Sequence, residues 1–350
     1  MKPKTTMCFP VIAFVLTACV ANAFGLSAIV ALEDVNSGTT SPTGQYRWLD
    51  VNDQVYAEEY RTTYNYTQAS VEVTYSIDAN TLHGVLSATN LKPNFAYQFK
   101  LVGTADTNAN EHIGLTGRWW QEEWNGTAWA NGQNLNNKGD GSSPNPNDEV
   151  YFDRRDIIDI TSPTGKHYRY TGYLVFDYFI TDSLGDAMLN FRCDSSYHVL
   201  WKTSQRTHTS NDGPIKEAIF STDPCSAAYD TANGLSIVDI FGEWERLPVG
   251  QVRLPLGEYE AEFVLTEESF HNCSSEFGGC WAAAMAGPCD FSITTCFADF
   301  EIFALFADYW RESGSDLPAD LDEDNDVDLD DLDYFVAEWL FYCPNDWMLK

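Results

Sequence analysis

The chain has 350 residues, 44% of them hydrophobic, and carries 52 Asp and Glu against 20 Lys and Arg, a formal net charge of −32. A field of that sign repels nucleic acid and anionic surfaces, which argues against a nucleic-acid partner. After the first two dozen residues no run is long and apolar enough for a transmembrane helix.

Met1-Lys-Pro-Lys4 followed by the apolar run from Val11 to Val20 predicts a secretory signal peptide over 1–23, with Ala21-Asn22-Ala23 as cleavage site. Leu16-Thr17-Ala18-Cys19 offers a rival, a lipobox-like stretch that would anchor the chain through Cys19. No polar tether follows Cys19, which favours simple cleavage. Both readings place the protein outside the cytoplasm, secreted or periplasmic.

Residues 24–272 are long enough for one large or two small β domains, and strand signals dominate them. Val71-Glu-Val73-Thr-Tyr75-Ser-Ile77, Tyr97-Gln-Phe99-Lys-Leu101 and Tyr259-Glu-Ala261-Glu-Phe263-Val-Leu265 alternate apolar and polar, predicting strands with one wet face. Leu174-Val-Phe176-Asp-Tyr178-Phe-Ile180 is apolar on both faces and predicts a buried central strand. Leu91-Lys-Pro93-Asn-Phe-Ala-Tyr97 resembles the tyrosine corner of fibronectin type III and related sandwiches, and Leu254-Pro-Leu-Gly257-Glu-Tyr259 is a looser version. The expected fold class is mainly β, an antiparallel β-sandwich followed by a small α-helical calcium module.

Thr104 to Asp148 reads as a long irregular stretch, rich in Asn, Gly and Pro, of the kind that is functional or disordered. It holds Trp119, Trp120, Trp124 and Trp129, which either roof the core or form a platform on which sugar rings stack. Tyr64, Tyr66, Trp201 and Trp244 invite the same two readings.

Candidates for catalysis are few. Glu267, Glu268 and His271 cluster beyond a strand end, and His198 sits in the strand-like Tyr197-His-Val-Leu-Trp201. Two carboxylates could serve glycoside hydrolysis, and His198 with His271 could hold a metal. Adjacent Glu267 and Glu268 would point to opposite faces of a strand, and Glu243, Glu245, Glu258, Glu260 and Glu262 are equally well explained as wet strand faces. No nucleophile elbow, zinc-protease helix or phosphate loop occurs.

Seven cysteines follow Ala23, and in an exported chain the default is disulfides. The spacings suggest local loops Cys273 to Cys280 and Cys289 to Cys296 and a longer one from Cys193 to Cys225, leaving Cys343 odd, and 273–296 is expected to be a disulfide-rich connector.

The last segment, 297–343, carries the sharpest signal. From Glu312 to Glu338 there are 12 acids and no Lys or Arg. Asp320, Asp322, Asp324, Asp326, Asp328 and Asp331 occupy positions 1, 3, 5, 7, 9 and 12 of an EF-hand-type Ca2+ loop, Asp326 acting through its carbonyl. Position 6, which needs a left-handed turn, is Asn325, and Val327 at position 8 is the inward anchor. Ala319 to Leu340 resembles a repeat of the type I dockerin family as found on secreted planctomycete-type bacterial proteins. That resemblance implies a calcium-folded helical module and a cohesin-like protein partner. Sliding back 29 residues exposes a degenerate first copy, Phe303, Phe306, Ala307 and Trp310 matching Leu332, Phe335, Val336 and Trp339. Its loop positions become Phe291, Ile293, Thr295, Phe297, Asp299 and Ile302, so it should not bind calcium.

Taken together, these features favour a non-catalytic extracellular binding or surface-architecture protein, recognising polysaccharide through the Trp-rich loops. The alternatives are a carbohydrate-active hydrolase on the β scaffold and an assembly scaffold docked through the tail to a cohesin-like partner.

Overall fold

The computed structural model describes residues 27–35, 45–52, 54–79, 81–135, 146–193, 198–201, 216–220, 226–230, 236–243, 254–267, 282–293, 306–314, 317, 325–329 and 331–332. The strands among them are β1 (Ser27–Asp34), β2 (Ser70–Ser76), β3 (Asp78–Ala79), β4 (His83–Thr89), β5 (Ala96–Gly103), β6 (Arg118–Trp124) and β7 (Trp129–Asn134). They continue with β8 (Tyr168–Ile180), β9 (Ala187–Arg192), β10 (His198–Trp201), β11 (Lys216–Phe220), β12 (Ser236–Glu243), β13 (Gly257–Glu267) and β14 (Ala282–Ile293). Three helices interrupt them, α1 (Glu58–Thr63), α2 (Asn108–Thr116) and α3 (Pro146–Arg154).

The protein is mainly β. One sheet runs β7-β6-β8-β5-β13-β14-β1-β2-β4-β9, antiparallel along that path, with β3 added in parallel to β14, and β10-β12-β11 form a small second sheet. β1 pairs with β2 from Ser27 to Leu32 but meets β14 only through Glu33 and Asp34, so the large sheet is continuous at one corner alone. Either side of that corner its two halves face each other. Phe191 on β9 packs its ring 5.0 Å from Phe99 on β5 and 4.8 Å from Phe176 on β8, and Tyr75 on β2 lies 5.1 Å from Phe263 on β13. Offset and edge-on pairs at such distances add to simple burial.

Alternation explains which residues reach that core. Val71, Val73 and Tyr75 point in while Ser70 and Glu72 point out, and on β13 Tyr259, Ala261, Phe263 and Leu265 are buried against exposed Glu258, Glu260 and Glu262. Of the run Leu174–Ile180, Leu174, Val175, Phe176 and Phe179 are buried, as an apolar run predicts, while Asp177, Tyr178 and Ile180 are half-buried. Both corner tyrosines return to upstream backbone: Tyr97 Oη accepts the Lys92 amide at 3.1 Å, and Tyr259 Oη donates to the Pro255 carbonyl at 2.7 Å.

Three expectations are corrected. β5 has no wet face, since Gln98 and Lys100 are buried with Phe99 and Leu101; it lies between β8 and β13, and α2 covers it. α2 sits so close that a Cβ at Gly172 on β8 would lie 2.4 Å from the Asn110 carbonyl oxygen, while Asn110 bonds the Gly172 amide at 2.7 Å and the Tyr170 carbonyl at 3.0 Å. The stretch 104–148 is not irregular where it is described. Thr107 caps α2 by accepting the Asn110 amide, and β6 and β7 form a hairpin whose turn is held by Asn125 Oδ1 and opened by Gly126 at φ +93°. Finally, 282–293 is no connector but β14, a strand inside the large sheet with Ala284, Met285, Cys289, Phe291 and Ile293 in the core.

Cys289 is a buried free thiol facing that core opposite Ala261, so the Cys289 to Cys296 loop is not closed. Mid-strand, it projects into packed side chains rather than along the chain toward its expected partner. Cys193 directly follows β9 and is buried. Cys225, Cys273, Cys280, Cys296, Cys343, the signal peptide and Cys19 lie outside the described residues. Among the described residues no helix is long and apolar enough to cross a membrane.

Candidate functional site

A cleft of about 250 Å³ opens where α2, the end of α3 and the start of β8 meet. Tyr168 and Tyr170, two apart on β8, share a strand face, and Tyr151 of α3 completes an aromatic wall. The rim is charged but paired: Arg155 Nη1 holds Glu111 at 2.6 Å and Lys166 Nζ holds Asp106 at 2.9 Å, with Asp156 3.6 Å from Arg155 Nε. Burial, then the Glu111 charge, push the Tyr151 phenol up to about 12, so at neutral pH it is a hydrogen-bond donor and not a base. Beside the cleft His167 bridges two elements, Nδ1 3.2 Å from Asp159 and Nε2 3.0 Å from Glu123. Its pKa is raised, first by the Asp159 bond and then by the Glu123 bond. Sequence reasoning missed this site, because its residues come from three segments between Asp106 and Tyr170 and no local spacing marks them.

The four tryptophans do not form one flat platform. Trp119 is core, 1% exposed and stacked on Tyr151 with centroids 3.9 Å apart, in a cluster with Leu135 and Tyr170. Trp124 is buried, its indole N–H donating to Thr161 Oγ1 at 3.1 Å, and its ring meets Trp129 across the hairpin at an interplanar angle of 65°. Trp120 and Trp129 are half-buried, Trp120 against Gly132 and Trp129 beneath Arg169 at 5.0 Å. Tyr64 and Tyr66 are core as well.

Glu267, considered above as an acid or base, is fully buried and held on both oxygens. Arg47 Nε donates to Oε2, while Lys92 Nζ donates to Oε1 at 2.7 Å and Tyr66 Oη to the same oxygen at 2.6 Å. Burial opposes its charge, yet Lys92 and Arg47 outweigh that and hold its carboxyl below the usual range. A carboxylate so locked and so far from solvent is a scaffold group. Glu258, Glu260 and Glu262 form the wet side of β13. His198 and Glu243 pair opposite each other on β10 and β12, while Glu268, His271, Glu245, Trp244 and the side chain of Trp201 lie outside the described residues.

In the acidic tail the carboxylates of Asp326, Asp328 and Asp331 come within 4.8 Å of one another. Oxygens sharing one calcium at about 2.3–2.6 Å are separated by at most ~5 Å, so the set fits that ion. Asn325 takes φ +73°, the left-handed turn position 6 demands, and Val327 is fully buried against Phe306. Asp331, also fully buried, accepts the Asp328 amide at 2.8 Å, as an N3 residue does at a helix start. The backbone partner of this loop is 311–314, through Arg311 N to Val327 O at 2.8 Å and Val327 N to Glu312 O at 2.9 Å. Phe291 and Ile293, taken above as positions of a first loop, are instead core residues of β14. Asp320, Asp322 and Asp324 lie outside the described residues. Comparisons with protein-family models, curated proteins and solved structures found no match, so the chain's own chemistry carries the functional conclusion.

Proposed function

We propose that this chain is a secreted, non-catalytic binding protein, a β-sandwich that takes a polysaccharide segment in the tyrosine-walled cleft and bears a calcium-stabilised dockerin-like tail. The observation that carries the reading is the cleft lining: the half-buried ring of Tyr168, backed by buried Tyr151 and Tyr170, lies beside exposed Asn108 and the Arg155–Glu111 and Lys166–Asp106 pairs, polar groups able to bond sugar hydroxyls. Both acids of the α2 side, Asp106 and Glu111, are already engaged by cations, which suits orienting sugar hydroxyls better than donating a proton. Its volume of about 250 Å³ suits a small unit of a chain rather than a large cofactor.

In the tail, Asp326, Asp328 and Asp331, together with Asp320, Asp322 and Asp324, would hold Ca2+; the ion would offset their mutual repulsion and set the following helix. Phe335 and Trp339 would then offer the apolar face for a cohesin-like partner.

Affinity electrophoresis of the full chain through gels containing soluble polysaccharides tests the cleft. Retardation in at least one gel, lost in Tyr168→Ala and kept in Trp129→Ala, is expected. Retardation lost in Trp129→Ala alone would move the site to the hairpin, and none in any gel would sink the reading.

A further inference from the structure

The core holds an unbalanced charge cluster. Arg47, Lys92 and Glu267 have side chains 3%, 0% and 0% exposed, two cations to one anion among the described residues. Lys92 is saturated: its ammonium bonds Glu267 and the Arg47 carbonyl at 2.8 Å and lies 4.5 Å from the centroids of Trp48 and Phe95. Arg47 is not. Its Nε serves Glu267, but Nη1 and Nη2 are both buried and have no hydrogen-bond acceptor among the described residues. Tyr66 and Tyr97 oxygens cannot supply the missing charge, because burial, then Glu267, keep both phenols protonated. A buried net positive charge with donor groups unspent is expensive unless something negative shares the site.

We infer that the outer edge of the Arg47 guanidinium is a binding site for a small monovalent anion of the halide class. A halide brings one negative charge, accepts from both terminal nitrogens at once and demands no donor-acceptor pattern in return. It neutralises the cluster without spending a second carboxylate in the core. The rival ways to settle the cluster are a buried water, which satisfies the donors but not the charge, and loss of the Lys92 proton, which satisfies the charge but not the donors.

Thermal unfolding of the full chain at pH 7 and fixed calcium, with sodium chloride or bromide exchanged for gluconate at constant ionic strength, separates these. The halides should raise Tm saturably, by about 2 °C at ten times the dissociation constant, and Arg47→Gln should abolish the dependence. Equal Tm in all three salts, or an unchanged halide effect in Arg47→Gln, overturns the inference. Should Arg47→Gln fail to fold, bromide-soaked crystals of the unaltered protein decide. An anomalous peak in contact with Nη1 and Nη2 supports the site, and a water or nothing there refutes it.

Discussion

Glu267→Gln removes one charge and almost no volume, which makes it the sharpest probe of the core cluster. The variant leaves Arg47 and Lys92 buried within reach of one amide, and takes the charged acceptor from Tyr66. Breaking a buried ion pair from one side costs about 3–5 kcal/mol. With a urea slope of roughly 2–3 kcal/mol per molar for a chain of this size, the midpoint should fall by about 1–2 M. Tryptophan fluorescence reads it, since Trp48 lies on the cluster.

The pH dependence supplies a second, independent sign. Burial first of all, with Arg47 adding to it and Glu267 opposing, brings the Lys92 ammonium from 10.5 to about 8. Between those values the unfolded chain keeps a proton the folded chain has released, so stability rises with pH. Below about 8 both states are protonated and the full penalty for burying the charge is felt. Above about 10 the buried Tyr66 and Tyr97 phenols, protonated only in the folded state, turn the slope downward, so the useful window is pH 8 to 10. In Glu267→Gln the attraction that held the Lys92 proton is gone, and the rise should begin at lower pH. A midpoint within about 0.3 M of the unaltered chain, with the same pH profile, would refute the idea that Glu267 is the counter-ion of the core.

Two further outcomes follow from single positions. Asp331→Asn on the full chain should weaken calcium binding about tenfold or more by calorimetry, because a fully buried carboxylate in a three-acid set is withdrawn; heat unchanged from the unaltered chain would mean that Asp331 acts only as a helix cap. Gly172→Ala should destabilise by about 2 kcal/mol or more, since its Cβ would meet backbone atoms of Asn110 and Gly114 at 2.4 Å. Gly126→Ala, at φ +93° but with nothing within 4 Å, should cost only about 1 kcal/mol, so equal losses in urea melts would contradict the close approach of α2.

What the sequence made legible is what depends on neighbours a few positions away. The alternation of β2 and β13, the buried run in β8, both tyrosine corners and the left-handed Asn325 are all local: a side chain's face is set by period two, and a corner by Pro or Gly just upstream of a Tyr. β14 escaped because Ala, Gly and Pro carry little strand propensity; a place between β13 and β1, where small side chains fit, makes it a strand. The hairpin carried a signal, Asn125-Gly126 between two Trp-bearing runs, that the surrounding Asn and Gly content masked.

Glu267 shows most clearly why function is harder to read than fold. Its place past an alternating run resembles the strand end where catalytic carboxylates sit, and nothing within ten residues says otherwise. Its partners are 175 and 220 positions away, on the loop feeding a tyrosine corner and on a 3-10 turn near the start of the chain. One fully buried carboxylate thus joins the end of β13 to the two segments that precede β5, and Tyr97, the corner residue of β5, bonds the Lys92 amide with the same hydroxyl that meets Tyr66 at 3.1 Å. The cluster and the corner are therefore one device, with the charge fixing a turn that the hydroxyl alone would hold by a single bond. By contrast, the cleft residues Asp106, Glu111, Arg155 and Lys166 satisfy one another at the surface, one-third to nearly one-half exposed, where pairing is worth little to stability. Charges that contribute so little to folding are free to serve a ligand, as the proposed polysaccharide site requires of the cleft, while the buried charges of the core hold the fold.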